Sequence, residues 1–530
     1  LPVPPSLNRR AALARLSQLA SACALQQLFG TGAQAQPRAA VQPGPQMPFT
    51  LGVASGEPRE DSVVLWTRLA PQPLQPGGGL PPQPVAVRWQ VAADEGFARI
   101  VREGEALALP EHAHTVHVEV AGLQPARVYH YRFLAGGHAS ATGRTRTAPP
   151  AFAPVQRLRV ALASCQHYEQ GHYGVHREIA ARDADLVLFT GDYIYENESK
   201  PHLRVRPHLT PTPHDLDGFR LRYASYKLDP ALQLLHATHP WLLTWDDHEV
   251  ENDYTGTHSS WGTDAAAFLR IRTAAFKAYY ENMPLSPRRL PAGNVMRLHD
   301  IFSWGRLADI WMVDTRQFRD PHACDDGEGG RGLWRCDELA NPARSMLGRA
   351  QEDWLAGGLA SSLATWKLVT QSQQISAYGI PVPFARPGGR IVHNDGWDGY
   401  PFARERLLRA IHEPRVKDVI CLGGDAHRHL AAPLRLKPND PLSPIVASEF
   451  IGSSMTSSGL KNPLCALMRW TNPDLMHMRG DERGYAWLDI TPGQVRCELR
   501  ATAHPVTERA ALYTQAAFVV EAGRAGPQRA

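Results

Sequence analysis

No stretch of about 18 uninterrupted apolar residues occurs in the chain, so nothing in it has the length of a permanent membrane span. Cysteine is scarce: seven among 530 residues are too few for a disulfide scaffold. An excess of one charge is missing as well. Lys and Arg number 56 against 52 Asp and Glu, for a formal net charge of +4, and no basic block appears. Tracking phosphates needs a concentrated basic surface, so no stable nucleic-acid complex is expected. The composition that remains, 43% hydrophobic and 20% charged, is that of a globular protein. Its length exceeds one ordinary domain of about 100–200 residues.

The first stretch reads as an address rather than as fold. Arg9 and Arg10 stand side by side before a modestly apolar segment, and small residues then lead to Ala33-Gln34-Ala35. A positive start, an apolar middle and an A-x-A end make an export signal, expected over 1–35 with the mature chain beginning near Gln36. The paired arginines point to the twin-arginine export machinery and to a periplasmic or secreted protein. The alternative is an amphipathic helix with two surface arginines.

Two domains are expected after it. From 48 to 150 the runs SVVLWTRL, VAVRWQVA, HTVHVEVAGL and VYHYRFLA alternate with a period of two between Gly/Pro turns. This predicts an all-β, fibronectin-like sandwich. TAPPAFAP at 147–154 reads as a linker. From 155 to 505, short apolar runs each end in a polar cluster. LRVALA leads into Ser164-Cys165-Gln166, DLVLFT into Gly191-Asp192-Tyr193, and WLLTW into Asp246-Asp247-His248-Glu249. DIWMVD leads into Thr315-Arg316 and DVICLG into Gly424-Asp425-Ala426-His427. Strands buried on both faces, with helical patterns between them, predict an α/β layered domain whose chemistry sits at strand ends.

Each cluster alone has a plain reading. Gly191-Asp192 is more often a turn or a helix N-cap, and a lone Cys165 is more often a small core residue. Asp246-Asp247-His248-Glu249 and Gly424-Asp425-Ala426-His427-Arg428-His429 are harder to explain as solvated loops, because crowded acids repel unless cations neutralise them. Thiolate, phenolate, carboxylate and imidazole together suit a hard or borderline cation, and the phenolate and carboxylate favour a ferric ion.

The ordered set Ser164-Cys165-Gln166, Gly191-Asp192-Tyr193-Ile194-Tyr195-Glu196, Trp245-Asp246-Asp247-His248-Glu249 and Gly424-Asp425-Ala426-His427 resembles the alkaline phosphatase D (PhoD-like) family of calcineurin-like metallophosphatases. The resemblance implies a layered metallophosphatase sandwich of mixed sheets covered by helices. It implies Asp192 as a bridging carboxylate, Tyr195 as a phenolate ligand, Asp247 as a ligand and His248 as a catalytic histidine. Cys165 replaces the superfamily's first aspartate, and Asp425 stands where a second-metal histidine normally sits, ahead of His427. Those departures imply Fe3+ and Ca2+, since calcium takes oxygen ligands; Asn252 is a further candidate oxygen donor. The implied reaction is hydrolysis of small-molecule phosphate esters by cation-activated water.

Arg316 is a candidate phosphate clamp or, equally, part of a salt bridge. Asp395, Trp397 and Asp398 are candidates for the entrance or for calcium support. Cys324 with Cys336, and Cys465 with Cys497, are candidate disulfides. Diesterase or phospholipase-like activity, a zinc hydrolase, and an exported binding protein with a degenerate site stand as alternatives.

Overall fold

The computed structural model describes residue 44 and residues 46–530, apart from Glu328 and Pro387. The expected export segment, 1–35, lies outside the described residues. The N-terminal region is all-β, as its alternation demands. In Val128–Ala135 the side chains of Tyr129, Tyr131, Phe133 and Ala135 are buried while their neighbours are more exposed. That strand pairs with Val85–Ala92, which pairs in turn with Ile100–Ala108. Val53–Gly56, Val63–Arg68 and Thr115–Val120 form the facing layer, and Val63, Leu65, Val87, Val91, Tyr131 and Phe133 share the core between them.

The sandwich is joined to the rest of the chain by more than its connecting segment. Val53–Gly56 pairs in parallel with Pro240–Thr244, with Ser55 opposite Pro240 and Gly56 opposite Trp241. One sheet of the sandwich thereby continues into a ten-stranded sheet of the rest of the chain. Gly56 suits this junction, because a side chain there would run into the carbonyls of Pro284 and of its strand partner Trp241. Thr147, inside the expected linker, is fully buried. The sheet also runs past 505, since Tyr513–Glu521 pairs with Gln494–Ala503 and Gln528–Arg529 pairs with Tyr513–Glu521.

The remainder is the expected α/β layering. Leu158–Ala163, Leu186–Thr190 and Pro240–Thr244 lie in parallel at the centre of the ten-stranded sheet. Ala308–Met312, Trp366–Thr370, Val419–Gly423 and Ile445–Gly452 lie in parallel in a seven-stranded sheet. Leu162, Leu188 and Leu242 meet Ile310, Leu368, Leu422 and Phe450 between the two sheets. On the outer face Val187 and Phe189 pack under the helices Leu216–Lys227 and Ala265–Asn282. Trp311, Val369 and Cys421 pack under Arg349–Ser361 and Pro401–His412. Every residue of Leu186–Thr190 is therefore buried, which explains the unbroken apolar run.

Of the two candidate disulfides one forms, Cys324–Cys336, with the Cα atoms 5.9 Å apart. Cys465 and Cys497 are both free. Cys497 lies in the inter-sheet core, whereas Cys465 packs with Met468 and Met478 in a separate cluster, so the second pairing is corrected.

Candidate metal centre

Parallel strands in both sheets end at one edge of the molecule, where α/β folds gather their chemistry. Leu158–Ala163 delivers Cys165, Leu186–Thr190 delivers Asp192, Pro240–Thr244 delivers Asp247 and His248, and Val419–Gly423 delivers Asp425 and His427. The backbone turns sharply to do so. Cys165, Asp192, Asp425, His427 and Ser453 all have φ between 48° and 62°, a region that costs a non-glycine residue on the order of 1 kcal/mol. Such strain, concentrated at strand ends, marks side chains aimed for a purpose other than packing.

Donor atoms of Cys165, Asp192 and His427 lie within 4.8 Å of one another, and so do those of Asp192, Asp247 and His248 and those of Asp192, Asp246 and Asp425. Asp192 belongs to all three groups, the position of a carboxylate shared between two cations. The Tyr195 hydroxyl donates to Asp192 Oδ2 at 2.9 Å, lies 3.1 Å from His427 Nε2, and accepts from Ser457 Oγ at 2.8 Å. His427 Nδ1 lies 2.8 Å from the Ser458 carbonyl. That contact fixes the Nδ1–H tautomer and turns the Nε2 lone pair inward. Burial, with the Arg483 charge nearby, pushes His427 down to about 3, so the ring is neutral as a ligand must be.

The acids show the opposite strain. Burial and then Asp192 push the Cys165 thiol and the Tyr195 phenol well above their ordinary ranges. Burial also raises Asp192 and Asp425 well above the usual carboxylate range, with Asp246 and Asp247 adding to it. One oxygen each of Asp192 and Asp247 is buried without a hydrogen-bond partner. Orphaned carboxylate oxygens and acids that cannot all ionise together fit a site completed by cations, whose charge reverses each of these shifts. The residues present therefore fit a metal centre.

His248 Nδ1 lies 2.7 Å from Glu196 Oε2, and its ring packs 4.0 Å, centroid to centroid, from that of Tyr195. Burial opposes its charge, but Glu196, Asp247 and Asp192 prevail and hold the imidazolium well above the ordinary histidine range. His248 borders a cleft of about 530 Å³ that is also lined by Asp192, Asp247, Asn252, Asp425 and His427.

Several residues play parts their spacing did not disclose. Glu249 points away from the cleft and accepts from the amides of Asp192, Tyr193 and Asp246 at 2.6–3.2 Å, bracing two strand ends. Arg316, a candidate phosphate clamp or salt-bridge partner, is fully buried. Its Nε donates to Asp246 Oδ1 at 2.6 Å and its two Nη atoms donate to Asp395 at 2.6 and 2.8 Å. Its donors are spent behind the acids, so it is a structural counter-charge.

Asp395, Trp397 and Asp398 are absent from the cleft lining. Asp395 pairs with Arg316, Arg319 and His322, Asp398 with Arg404, and Trp397 Nε1 with Gln371. Sequence reasoning missed the loop Ser453–Ser458. Its Met455 amide donates to the Ser164 carbonyl, and its Thr456 and Ser457 amides donate to that of Cys165. The one signal for it is the string of small hydroxyl residues after Ile445–Gly452, which lets backbone approach backbone.

Comparison with known proteins decides the family. The model of the family described as PhoD-like phosphatase matches residues 160–499, and that of its N-terminal domain matches 33–149. The chain belongs to the PhoD-like phosphatases. It is 41% identical over 486 residues to alkaline phosphatase D of Bacillus subtilis (strain 168), covering 90% of this chain and 82% of that protein. A solved structure of PhoD superposes with a TM-score of 0.87 at 39% identity, covering 92% of this chain and 93% of the other. As a PhoD-like phosphatase the protein is a phosphoesterase, and its layered α/β fold with an N-terminal all-β region is that of the family.

Proposed function

We propose that the protein is an exported, metal-dependent phosphoesterase that hydrolyses small-molecule phosphate monoesters and diesters with Fe3+ and Ca2+. The observation that carries this reading is the meeting of Cys165, Asp192 and His427, with the Tyr195 hydroxyl on Asp192 and His427, beside the cleft-lining carboxylates of Asp247 and Asp425. Sulfur, phenol, imidazole and carboxylate on one side suit a ferric ion, and an all-oxygen side suits calcium.

When bound, the cations supply an activated water and neutralise phosphate oxygens. The chain's own residues do the rest. Asp192 spans the two halves of the site. His427, fixed by the Ser458 carbonyl, offers a neutral ring nitrogen. His248, oriented by the contact of its Nδ1 with Glu196, is placed at the cleft wall to give a proton to the leaving oxygen, a contribution of about 10²–10⁴-fold. Arg316 stays behind Asp246, where its charge opposes the upward push that burial gives that acid.

The diester reading is favoured by the size of the cleft, whose far wall of Ile380, Ile391, Leu460, Leu464 and Met468 leaves room for a second organic group. Export is supported by Arg9-Arg10 and Ala33-Gln34-Ala35, and by the Cys324–Cys336 disulfide, which belongs to an oxidising compartment. Twin-arginine export, which carries folded protein, would deliver the chain to the periplasm or medium with its metals in place. The test is turnover of 4-nitrophenyl phosphate and bis(4-nitrophenyl) phosphate by native protein, with metal analysis of the same sample. Turnover of one or both with bound iron and calcium is expected; no turnover of either overturns the reading.

A further inference from the structure

With Arg316 occupied, a substrate oxyanion out of reach of the bound cations needs another cationic side chain in the cleft. Arg428 is the single arginine or lysine among the residues that line it. The side chain is only 5% exposed, yet its guanidinium pairs with no carboxylate among the described residues. Its Nε and Nη2 donate to Gln374 Oε1 at 3.2 and 2.6 Å, and its Nη1 donates to the Ala426 carbonyl at 3.1 Å. Three of the five N–H bonds of a guanidinium are thus held by neutral oxygens, leaving one on each Nη for a ligand.

The group is built in place. Gln374 is itself oriented, since its Nε2 donates to the Ser376 carbonyl at 3.0 Å and to Ser376 Oγ at 3.1 Å, which leaves its Oε1 for the arginine. Below, the Tyr378 ring lies 5.0 Å from the guanidinium carbon, a cation–π contact. The neighbouring Gln373 meanwhile donates to Asp246 at 2.9 Å. The segment that follows Trp366–Thr370 therefore anchors both Asp246 behind the site and the guanidinium of Arg428. A planar fork held on one side and open on the other is suited to an oxyanion. Burying an uncompensated charge beside a cleft is costly unless a ligand compensates it.

We propose that Arg428 is the substrate-binding cation of the cleft, taking an anionic oxygen of the phosphoester through its two free Nη–H bonds. The inference rests on the reading of the cleft as a phosphoester site. The oxyanion is either that of the phosphoryl group under attack or that of a second phosphate on the same substrate.

The test compares the native holoenzyme with Arg428→Gln and Arg428→Lys. Metal content, binding of inorganic phosphate by calorimetry, and kcat and KM on 4-nitrophenyl phosphate, a sugar monophosphate and a sugar bisphosphate are measured. The expected result is a KM for every ester, and a Kd for phosphate, about tenfold or more higher in Arg428→Gln. Its kcat stays within about threefold and its metal content is unchanged. Arg428→Lys, which keeps the charge and the stem, recovers part of the loss and stands in if the glutamine variant does not fold. A rise confined to the bisphosphate assigns the same residue to the second phosphate. Unaltered KM and phosphate binding in the variants overturn the proposal, as does a lower kcat with lost metal at constant KM. Absence of all turnover by native protein, with phosphate binding still weakened by Arg428→Gln, would sink the phosphoesterase reading and leave Arg428 as an anion site.

Discussion

The Tyr195 hydroxyl lies 3.1 Å from His427 Nε2 although 232 residues separate the two in the chain. Nothing local brings them together. Tyr195 follows a strand of the ten-stranded sheet and His427 follows one of the seven-stranded sheet. The contact therefore exists only when the sheets pack face to face through Leu162, Leu188, Leu368 and Leu422. The Ser453–Ser458 loop closes the junction from one side, with Ser457 Oγ 2.8 Å from the Tyr195 hydroxyl and Ser458 holding His427. The core builds the site, and the site's strained turns are offset by the core.

Arg316 tests the difference between a clamp and a counter-charge. Its guanidinium is fully buried between Asp246 and Asp395, so Arg316→Gln leaves two buried carboxylates short of a partner. A loss of about 3–5 kcal/mol of stability is expected, read as a lower unfolding midpoint in denaturant. KM of the folded fraction should stay near the native value. A normal midpoint with a raised KM would restore the clamp.

Acid should loosen the fold independently of the metal site. Burial pushes His117 and His239 down to about 4 from their ordinary value of 6.5. Between those values the unfolded chain holds protons that the native protein does not. The stability these neutral rings provide is thus fully present above pH 6.5 and is lost progressively as pH falls toward 4. Unfolding midpoints measured from pH 7.5 to 4.5 should fall. His117→Phe, which keeps a ring against Tyr280 and cannot titrate, should recover part of the drop. A flat profile, or an identical drop in the variant, contradicts this.

Much of this was legible in the sequence because strand-end chemistry leaves a local trace: an apolar run that ends in a cluster of polar or ionisable residues. Cys165, Asp192, Asp247, Asp425 and His427 were readable in that way. What the pattern could not separate was direction. Asp247 and Glu249 stand two residues apart in one acidic cluster, yet one faces the cleft and the other braces backbone amides. Burial depth was equally invisible, so Arg316 read equally as a clamp or a salt-bridge partner and Asp398 as an entrance or calcium-supporting residue. The pairing of Val53–Gly56 with Pro240–Thr244 joins strands nearly two hundred positions apart, and no periodicity within either strand announces its partner.

Calcium should be needed for turnover and not for colour. If Asp247 and Asp425 supply oxygen to a hard cation, a calcium-selective chelator should abolish hydrolysis while leaving the iron-dependent visible band in place. Re-addition of calcium should restore the rate. Full activity after exhaustive calcium removal would mean that the carboxylate at position 425 serves another purpose.

The most direct test is iron per folded chain, measured beside the visible spectrum for native protein, Tyr195→Phe, Cys165→Ser and Asp192→Ala. Thiolate and phenolate on one ferric ion should give charge-transfer absorption in native protein. Tyr195→Phe, which keeps the ring between His167 and His248, should weaken or shift the band with little loss of stability. Cys165→Ser should cost more activity because a charged ligand is lost. Asp192→Ala should cost most, since one carboxylate screens two cations from each other. Native-like iron and colour in both Tyr195→Phe and Cys165→Ser, with stability lost instead, would show these residues to be core and contradict the metal centre proposed here.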